Sequence, residues 1–330
     1  MSSKQIAKYI NQAENIVIIQ ADNPDGDSLS SALALEQILG DTGKKPVLYC
    51  GVDIPSYLRY MDGWDRVSNE LPKQFDLSII VDNSSLVLLE TLLKTGQLGW
   101  LKTKLCVVID HHATGSKIDF AKQTFIKPAV STTELIYLLA RENKWPVSKK
   151  TAEFICIGIL SDSMGLTTEQ VNSDNVRIIA EMLEKGVSLS ELDAKRRALS
   201  KKTPQLIKYK GKLLDRISYA VDNKVAFVDI PWEEIEKYSP HYNPPMLVID
   251  EMRQISGVVL AIAFKSYPGG RITAKLRSEA SFPYCGKLAE HFGGGGHAYA
   301  SGFRKDGGTP LDKIKAELFK QAEKLLNEAL

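Results

Sequence analysis

Short, mostly apolar runs rich in valine and isoleucine punctuate the chain, and between them apolar positions recur at helical spacing. The runs lie at residues 15–19, 46–50, 76–81 and 104–109. Their length, β-branched content and polar flanks predict buried strands. Helical spacing appears at residues 6–13 and 29–39, with Ser28 as the predicted N-cap of the second, and from Ser84 or Ser85 through Leu93. Strands that alternate with helices predict parallel βαβ units with right-handed crossovers. Further helices are expected at 131–140, 149–160 (with Ser161, Asp162 and Ser163 at its end) and 174–184, stopping at Gly186. The stretch 188–213 is basic and less apolar, and it is read as a helical connector.

Beyond it the pattern turns to strands. Residues 216–220 and 225–230 read as an antiparallel pair turning at Asp222 and Asn223. A short helix at 232–238 precedes a hairpin of 256–264 with 271–276, joined through 267–270. A helix ending at His291, a glycine run, a strand at 299–303 and a closing helix at 311–330 complete the chain. The expected fold class is α/β: an N-terminal parallel-sheet domain with flanking helices, plus a smaller C-terminal α+β domain with a mixed sheet. The expected limits are 1–190, a helical linker at 191–209, and 210–330.

Length and composition agree with this layout. The chain of 330 residues suffices for two domains, and 44% hydrophobic with 25% charged residues is the make-up of an ordinary globular protein. The net charge of +2 argues against a general nucleic-acid-binding coat, while leaving room for a local basic cleft. Cys50, Cys106, Cys156 and Cys285 are far apart and form no C-x-x-C pair. They read as buried free thiols of a reducing compartment. The N-terminus has no apolar signal core and no stretch reaches the ~20 apolar residues of a membrane span. The expectation is a cytoplasmic protein with no membrane partner.

The chemistry sits where the strands stop. Residues 15–19 lead into a polar Pro/Gly turn holding Asp25 and Asp27, 76–81 into Asp82, and 104–109 into Asp110, His111 and His112. In an open α/β sheet, ligands bind at the carboxyl ends of strands. Asp162 follows an apolar helix and completes the acidic set. Carboxylates gathered together are costly to bury unless cations neutralise them, so the pattern predicts divalent metal. Oxygen ligands with one or two imidazoles favour Mn²⁺ or Mg²⁺. Two such ions about 3.5–4 Å apart suit hydrolysis of a phosphate ester. A second set lies near the C-terminus: Gly293, Gly294, Gly295, Gly296 and His297, with Lys275 and Arg277 on one face of a predicted strand. Backbone amides of a glycine run and an arginine fork both suit an anion.

Asn23-Pro24-Asp25-Gly26-Asp27, Val81-Asp82, Asp110-His111-His112, Ser161-Asp162 and Gly293 through His297 with Ser301-Gly302 stand in an order that resembles the DHH phosphoesterase family. The resemblance runs over essentially the whole chain. It is nearest to the short members with a DHH-associated C-terminal domain, the nanoRNases and pAp phosphatases of the NrnA type. It implies a Mn²⁺-dependent hydrolase that attacks phosphorus with metal-activated water. Asp25 and Asp82 would hold one ion, and Asp27, Asp82, His111 and Asp162 the other, with Asp82 bridging. His112 would face the substrate phosphate, and Asp110 would orient the histidines. Arg277, Ser278, Gly294, Gly295, Gly296 and His297 would bind the terminal nucleotide and phosphate from the second domain, in a cleft between the two. Ser131 and Thr132 are weaker candidates for contacts there.

The implied substrates are short RNA oligonucleotides or 3′-phosphoadenosine 5′-phosphate (pAp), and the resemblance admits a homodimer. The modest charge and the short chain argue against a processive DNA exonuclease. A soluble cyclic-di-AMP or pApA phosphodiesterase on the same scaffold is the enzymatic alternative. A non-catalytic nucleotide-binding protein is the alternative of another class. The sequence departs from the family once: Ala21 stands four residues before Asp25, where the family usually has a histidine ligand of the first ion. Alanine has no donor atom, so that site is expected to be weaker, rearranged or selective for Mg²⁺, unless the neighbouring Asp22 substitutes.

Overall fold

A computed structural model describes residues 3–112, 118–199, 201–296 and 298–328. The chain divides into two compact units, 1–201 and 202–330.

The first unit runs α1 (Ser3–Gln12), β1 (Ile16–Ile19), α2 (Gly26–Asp41), β2 (Val47–Tyr49), β3 (Leu77–Val81), α3 (Glu90–Lys94), α4 (Gln97–Leu101), β4 (Leu105–Asp110), β5 (Gln123–Ile126), α5 (Thr132–Asn143), α6 (Lys149–Asp162), α7 (Ser173–Glu184) and α8 (Leu189–Leu199). Its five strands form one sheet in the order β2-β1-β3-β4-β5, with every pair parallel. Both faces are covered. Ile18, Ile79, Val107 and Ile109 pack with Leu29, Leu33, Leu135 and Phe154 on one side. Val17, Ile19, Ile80 and Val108 pack with Leu89, Leu92, Leu98 and Leu101 on the other. Burial on both faces is why these strands read as continuous apolar runs rather than alternating ones. The strand order reverses between β1 and β3, which is where an open parallel sheet leaves a crevice at its carboxyl rim.

In the second unit α9 (Pro204–Asp215), β6 (Ser218–Ala220), β7 (Val225–Ile230), α10 (Trp232–Tyr238), α11 (Ile249–Arg253), β8 (Leu260–Ser266), β9 (Ile272–Ser278), α12 (Cys285–His291), β10 (Gly295–Gly296), β11 (Ala300–Lys305) and α13 (Leu311–Glu328) follow. The sheet order is β10-β11-β9-β8-β7-β6, mixed because β7 and β8 alone pair in parallel. Leu260, Ile262, Phe264 and Leu276 face α12 and α13. Ala226, Val228, Ala261 and Ala263 face α9, α10 and α11. The expected α/β class with a parallel first sheet and a mixed second one is the observed architecture.

Several local expectations change. The N-cap of α2 is Asp25, not Ser28. Asp25 accepts from the Ser28 amide, and the Ser28 hydroxyl accepts from the Asp25 amide, a reciprocal capping box. Asp27 is therefore helical rather than part of a loop. The helix expected through Leu93 is a 3₁₀ turn at Leu86–Leu89 followed by the short α3. The connector breaks into α8 and α9 because Pro204 starts a new helix, capped by the Thr203 side chain. Strand β5 gave no sequence signal, since Phe125 alone among its residues is buried. All four cysteines are free and buried. No helix among the described residues is long and apolar enough to cross a membrane.

Candidate metal centre

The carboxyl ends of β1, β3 and β4 meet the N-termini of α2 and α5 and the C-terminus of α6. Gly26 and Gly158 make that convergence possible. A Cβ on Gly26 would stand 2.0 Å from the Ser161 hydroxyl oxygen, and one on Gly158 would stand 2.1 Å from Thr133 Oγ1 and 2.6 Å from Ser30 Oγ. Only glycine lets α6 approach α2 and α5 this closely.

Asp27 is wholly buried and held by the first turn of α5. Its Oδ2 accepts from the Thr132 amide at 2.6 Å. Its Oδ1 accepts from the Thr133 amide at 3.1 Å and the Thr133 hydroxyl at 2.8 Å. A carboxylate fits a helix N-terminus because unpaired amides and the positive end of the helix dipole converge there. Asp82 follows β3 with φ of 55°, a left-handed conformation that aspartate tolerates better than most side chains. That backbone turns its carboxylate under Thr132, whose hydroxyl donates to Asp82 Oδ1 at 2.9 Å. Asp162 is the last residue of α6 and is partly exposed.

His111 faces this group. Its Nδ1 stands 3.1 Å from the Ala129 carbonyl, which can only accept, so Nδ1 carries the hydrogen and Nε2 points inward. Nε2 stands 3.1 Å from Asp162 Oδ2 and 3.6 Å from Asp82 Oδ1, yet it is aligned for a hydrogen bond with neither. Asp27, His111 and Asp162 present ligand atoms within 4.8 Å of one another, and so do Asp82, His111 and His112. His112 is half-exposed. Its Nδ1 and its amide both donate to Asp110 Oδ1, at 2.7 and 3.1 Å.

The electrostatics record the crowding. Burial, and then the charge of Asp162, push the Asp27 carboxyl up to about 6. Burial together with Asp27, Asp25 and Asp162 pushes Asp82 well above the usual carboxyl range. Burial pulls the His111 ring down, but Asp162 and Asp27 more than reverse that and raise it to about 9. Burial raises Asp110 too, but hydrogen bonds from His112 and Ser84 outweigh it and leave the group below its ordinary value. Buried carboxylates that resist ionisation, and a buried ring nitrogen aimed at them without a hydrogen bond, form a donor set that fits a hard divalent cation. The hydrogen-bonded far nitrogen of His111 is the support that metal-binding imidazoles usually have.

The structure brings together Asp27, Asp82, His111, Asp162 and His112, with Asp110 behind His112. Asp25 is exposed and caps α2, and it belongs to neither group of converging ligand atoms. Asp22 does not take the place of a ligand at Ala21. Its Oδ2 accepts from the Thr91 amide at 2.6 Å, and its Oδ1 lies over Gly51. Sequence reasoning missed Thr133. Its only signal was its place next to Ser131 and Thr132 at a helix start.

In the second unit Lys275 and Arg277 do share a face of β9. With Gly295, Gly296, Ala300 and Ser301 they line a shallow hollow over β9, β10 and β11. Neither cation has a carboxylate within ion-pair distance among the described residues. Burial and then Arg277 lower the Lys275 ammonium, and burial lowers Arg277 as well. Ser278 is not at that hollow. It is buried, and strand alternation puts it on the opposite face. The glycine run is not an open nest, because Gly295 and Gly296 pair with β11. Gly294 has no room for a Cβ beside the Gly302 carbonyl, and Gly296 combines a φ of 140° with a similar close approach to Ala300. His297 lies outside the described residues.

The chain is similar to several known proteins. Over 310 residues the chain is 26% identical to an A-adding tRNA nucleotidyltransferase of Aquifex aeolicus, covering 92% of this chain but 34% of that protein. The chain thus spans about a third of that relative's length. It is 24% identical over 319 residues to the bifunctional oligoribonuclease and PAP phosphatase NrnA of Bacillus subtilis, covering 95% of this chain and 96% of that one. Among solved structures, an exopolyphosphatase-related protein from Bacteroides fragilis superposes with a TM-score of 0.85 at 24% identity, over 98% of this chain and 97% of that one, and shows the same fold. Residues 15–159 match the N-terminal domain of the DHH family. Asp27, Asp82 and His111 thus lie within the stretch that matches the DHH-family N-terminal domain, and the chain as a whole is similar to the NrnA-type oligoribonuclease and PAP phosphatases.

Proposed function

We propose that the chain is a divalent-metal-dependent phosphoesterase acting on short RNA oligonucleotides, on pAp, or on both. The observation that carries this reading is that two sets of ligand atoms, Asp27 with Asp162 and Asp82 with His112, each converge on His111, whose Nε2 no hydrogen bond satisfies. The overall resemblance to NrnA of Bacillus subtilis supplies the substrate class.

Asp27, Asp82, His111 and Asp162 would hold Mn²⁺ or Mg²⁺. Bound there, such an ion acidifies water and neutralises charge on a phosphoryl group. The chain's own residues do the rest. The amides of Thr132 and Thr133 fix the Asp27 carboxylate, so it need not reorganise during turnover. Asp110 pins the His112 ring through Nδ1 and leaves Nε2 free to donate to a substrate phosphate or to the departing oxygen. The basic hollow at Lys275 and Arg277 binds an anionic group such as a terminal phosphate. Gly295 and Gly296 keep its rim low, and His297 is assigned to the same role from its place in the glycine motif.

The test is a hydrolysis assay with pAp, a labelled RNA dinucleotide and cyclic-di-AMP, with Mn²⁺ or Mg²⁺, on the wild type and on Asp82→Asn. Turnover of pAp or the dinucleotide that Asp82→Asn abolishes is expected. Nucleotide binding without turnover of any of the three would refute the enzymatic reading. Turnover of cyclic-di-AMP alone would refute the substrate assignment.

A further inference from the structure

Beside the candidate centre the first unit has a second concavity, lined by Tyr60, Leu160, Ser161, Met164, Leu192 and Arg196 among others. The end of α6 ties it to the acidic cluster. Ser161 lines it and also packs on Gly26 at the start of α2, and the next residue is Asp162. A second tie comes from the 3₁₀ turn Ser56–Leu58, where the Tyr57 hydroxyl donates to the Pro24 carbonyl of the acidic loop at 3.3 Å. Tyr60 stands two residues beyond that turn.

The walls are mostly apolar but not uniformly so. Leu160, Met164 and Leu192 offer aliphatic and thioether surface, Tyr60 an aromatic ring, and Arg196 a guanidinium held by Asp193 at 2.7 Å. Met164 is 73% exposed, unusual for so apolar a side chain. The turn that presents it is fixed: the Gly165 amide donates to the Leu160 carbonyl and the Leu166 amide to Ser163 Oγ. Met164, Gly165 and Leu166 all have positive φ, so the turn holds Met164 out at a backbone cost. A planar heteroaromatic ring matches the chemistry of this lining, which combines aliphatic and thioether surface with an aromatic ring and a cation.

We propose that this hollow seats the base of the second nucleotide of a dinucleotide substrate, the part of pApA that pAp lacks. The proposal rests on the phosphoesterase reading above and adds where substrate length is sensed. A phosphate on the Asp162 side of Ser161 would leave the adjoining nucleoside over Tyr60 and Met164.

The experiment compares kcat/KM for pApA and for pAp in the wild type, Met164→Ala and Tyr60→Leu. Met164 is exposed and its loss leaves folding intact; leucine keeps bulk at Tyr60 while removing the ring. The ratio of pApA to pAp efficiency should fall about tenfold in each variant, the scale of one lost base stack. A dinucleotide with 2-aminopurine at its second residue reads the seat without turnover, since stacking quenches its fluorescence. Quenching should be present in the wild type and lost in both variants. Intact turnover with neither ratio nor quenching changed would overturn the base seat and leave the phosphoesterase reading standing. Absent turnover of both substrates, with quenching lost in the variants, would overturn the phosphoesterase reading and keep the seat.

Discussion

With divalent ions removed by a chelator, the first unit should lose stability as the pH rises, and Asp27 is one source of that loss that can be isolated. Asp27 is wholly buried, and its carboxyl titrates near 6 in the folded protein against 3.8 when unperturbed. The sign follows from linkage. A folded-state value above the unfolded one means the native protein holds the proton more tightly. That contribution is full below about pH 4 and is lost once the pH has passed about 6. The gap corresponds to about 3 kcal/mol. A unit of this size shifts by roughly 2–4 °C per kcal/mol, so the melting temperature should drop by about 6–12 °C between pH 4 and pH 7.5. Other groups titrate over the same range, so the comparison is with Asp27→Asn, which cannot ionise; its single amide oxygen can serve only one of the Thr132 and Thr133 amides, a cost that does not change with pH. The assay is thermal unfolding followed by circular dichroism in EDTA across that range. The wild type should fall relative to the variant, and adding Mn²⁺ at pH 7.5 should raise the wild type and leave the variant where it is. Parallel curves for the two proteins, or a wild type that gains stability relative to Asp27→Asn as the pH rises, would refute the picture of a carboxylate held for a cation.

Gly158→Ala should cost about 1–3 kcal/mol in urea unfolding, because the new methyl collides with Thr133 Oγ1 and Ser30 Oγ; it should weaken Mn²⁺ binding as well, since Thr133 supports Asp27. Asp110→Asn should lower kcat by about 10- to 100-fold with a smaller change in KM, as the His112 Nδ1 hydrogen bond loses the carboxylate charge that strengthens it; steady-state kinetics on pAp separate the two constants. Arg277→Ala should raise KM for pAp roughly tenfold or more, the scale of a lost charge-assisted hydrogen bond, with kcat less affected. Ala21→His should raise the Mn²⁺ bound per chain, measured by elemental analysis after gel filtration; an unchanged ratio would mean that a histidine at this buried position cannot reach the acidic cluster.

The parts of the fold that were legible are those whose side chains meet one uniform environment. β1, β3 and β4 are buried on both faces and read as unbroken apolar runs. Helices α5, α6 and α7 were found from their spacing, and the hairpin of β8 and β9 from its glycine turn. Edge and irregular pieces were not legible: β5 shows one buried side chain, and α11 follows a 3₁₀ turn rich in proline. Ser28 was read as a cap because serine suits that position, but the capping box shares the work between two residues and Asp25 is its first member.

The sequence by itself determined which residues are candidates for the chemistry: aspartates and histidines placed just past buried strands are written in local order, and strand ends share a rim whatever the details of packing. It also determined that Ala21 brings no donor. Tertiary structure alone decided what those residues touch. Asp27 is held by amides more than 100 positions away, on a helix that meets it because Gly158 and Gly26 have no side chains. Asp22, next to the vacant donor position, is committed to Thr91. Ser278, the residue directly after Arg277, turns into the core while Lys275 and Arg277 stay on the opposite face. The physical reason is the same in each case: residue type is a local property, whereas burial, hydrogen-bond partners and the charge felt by a carboxylate are set by segments the chain brings in from far along its length.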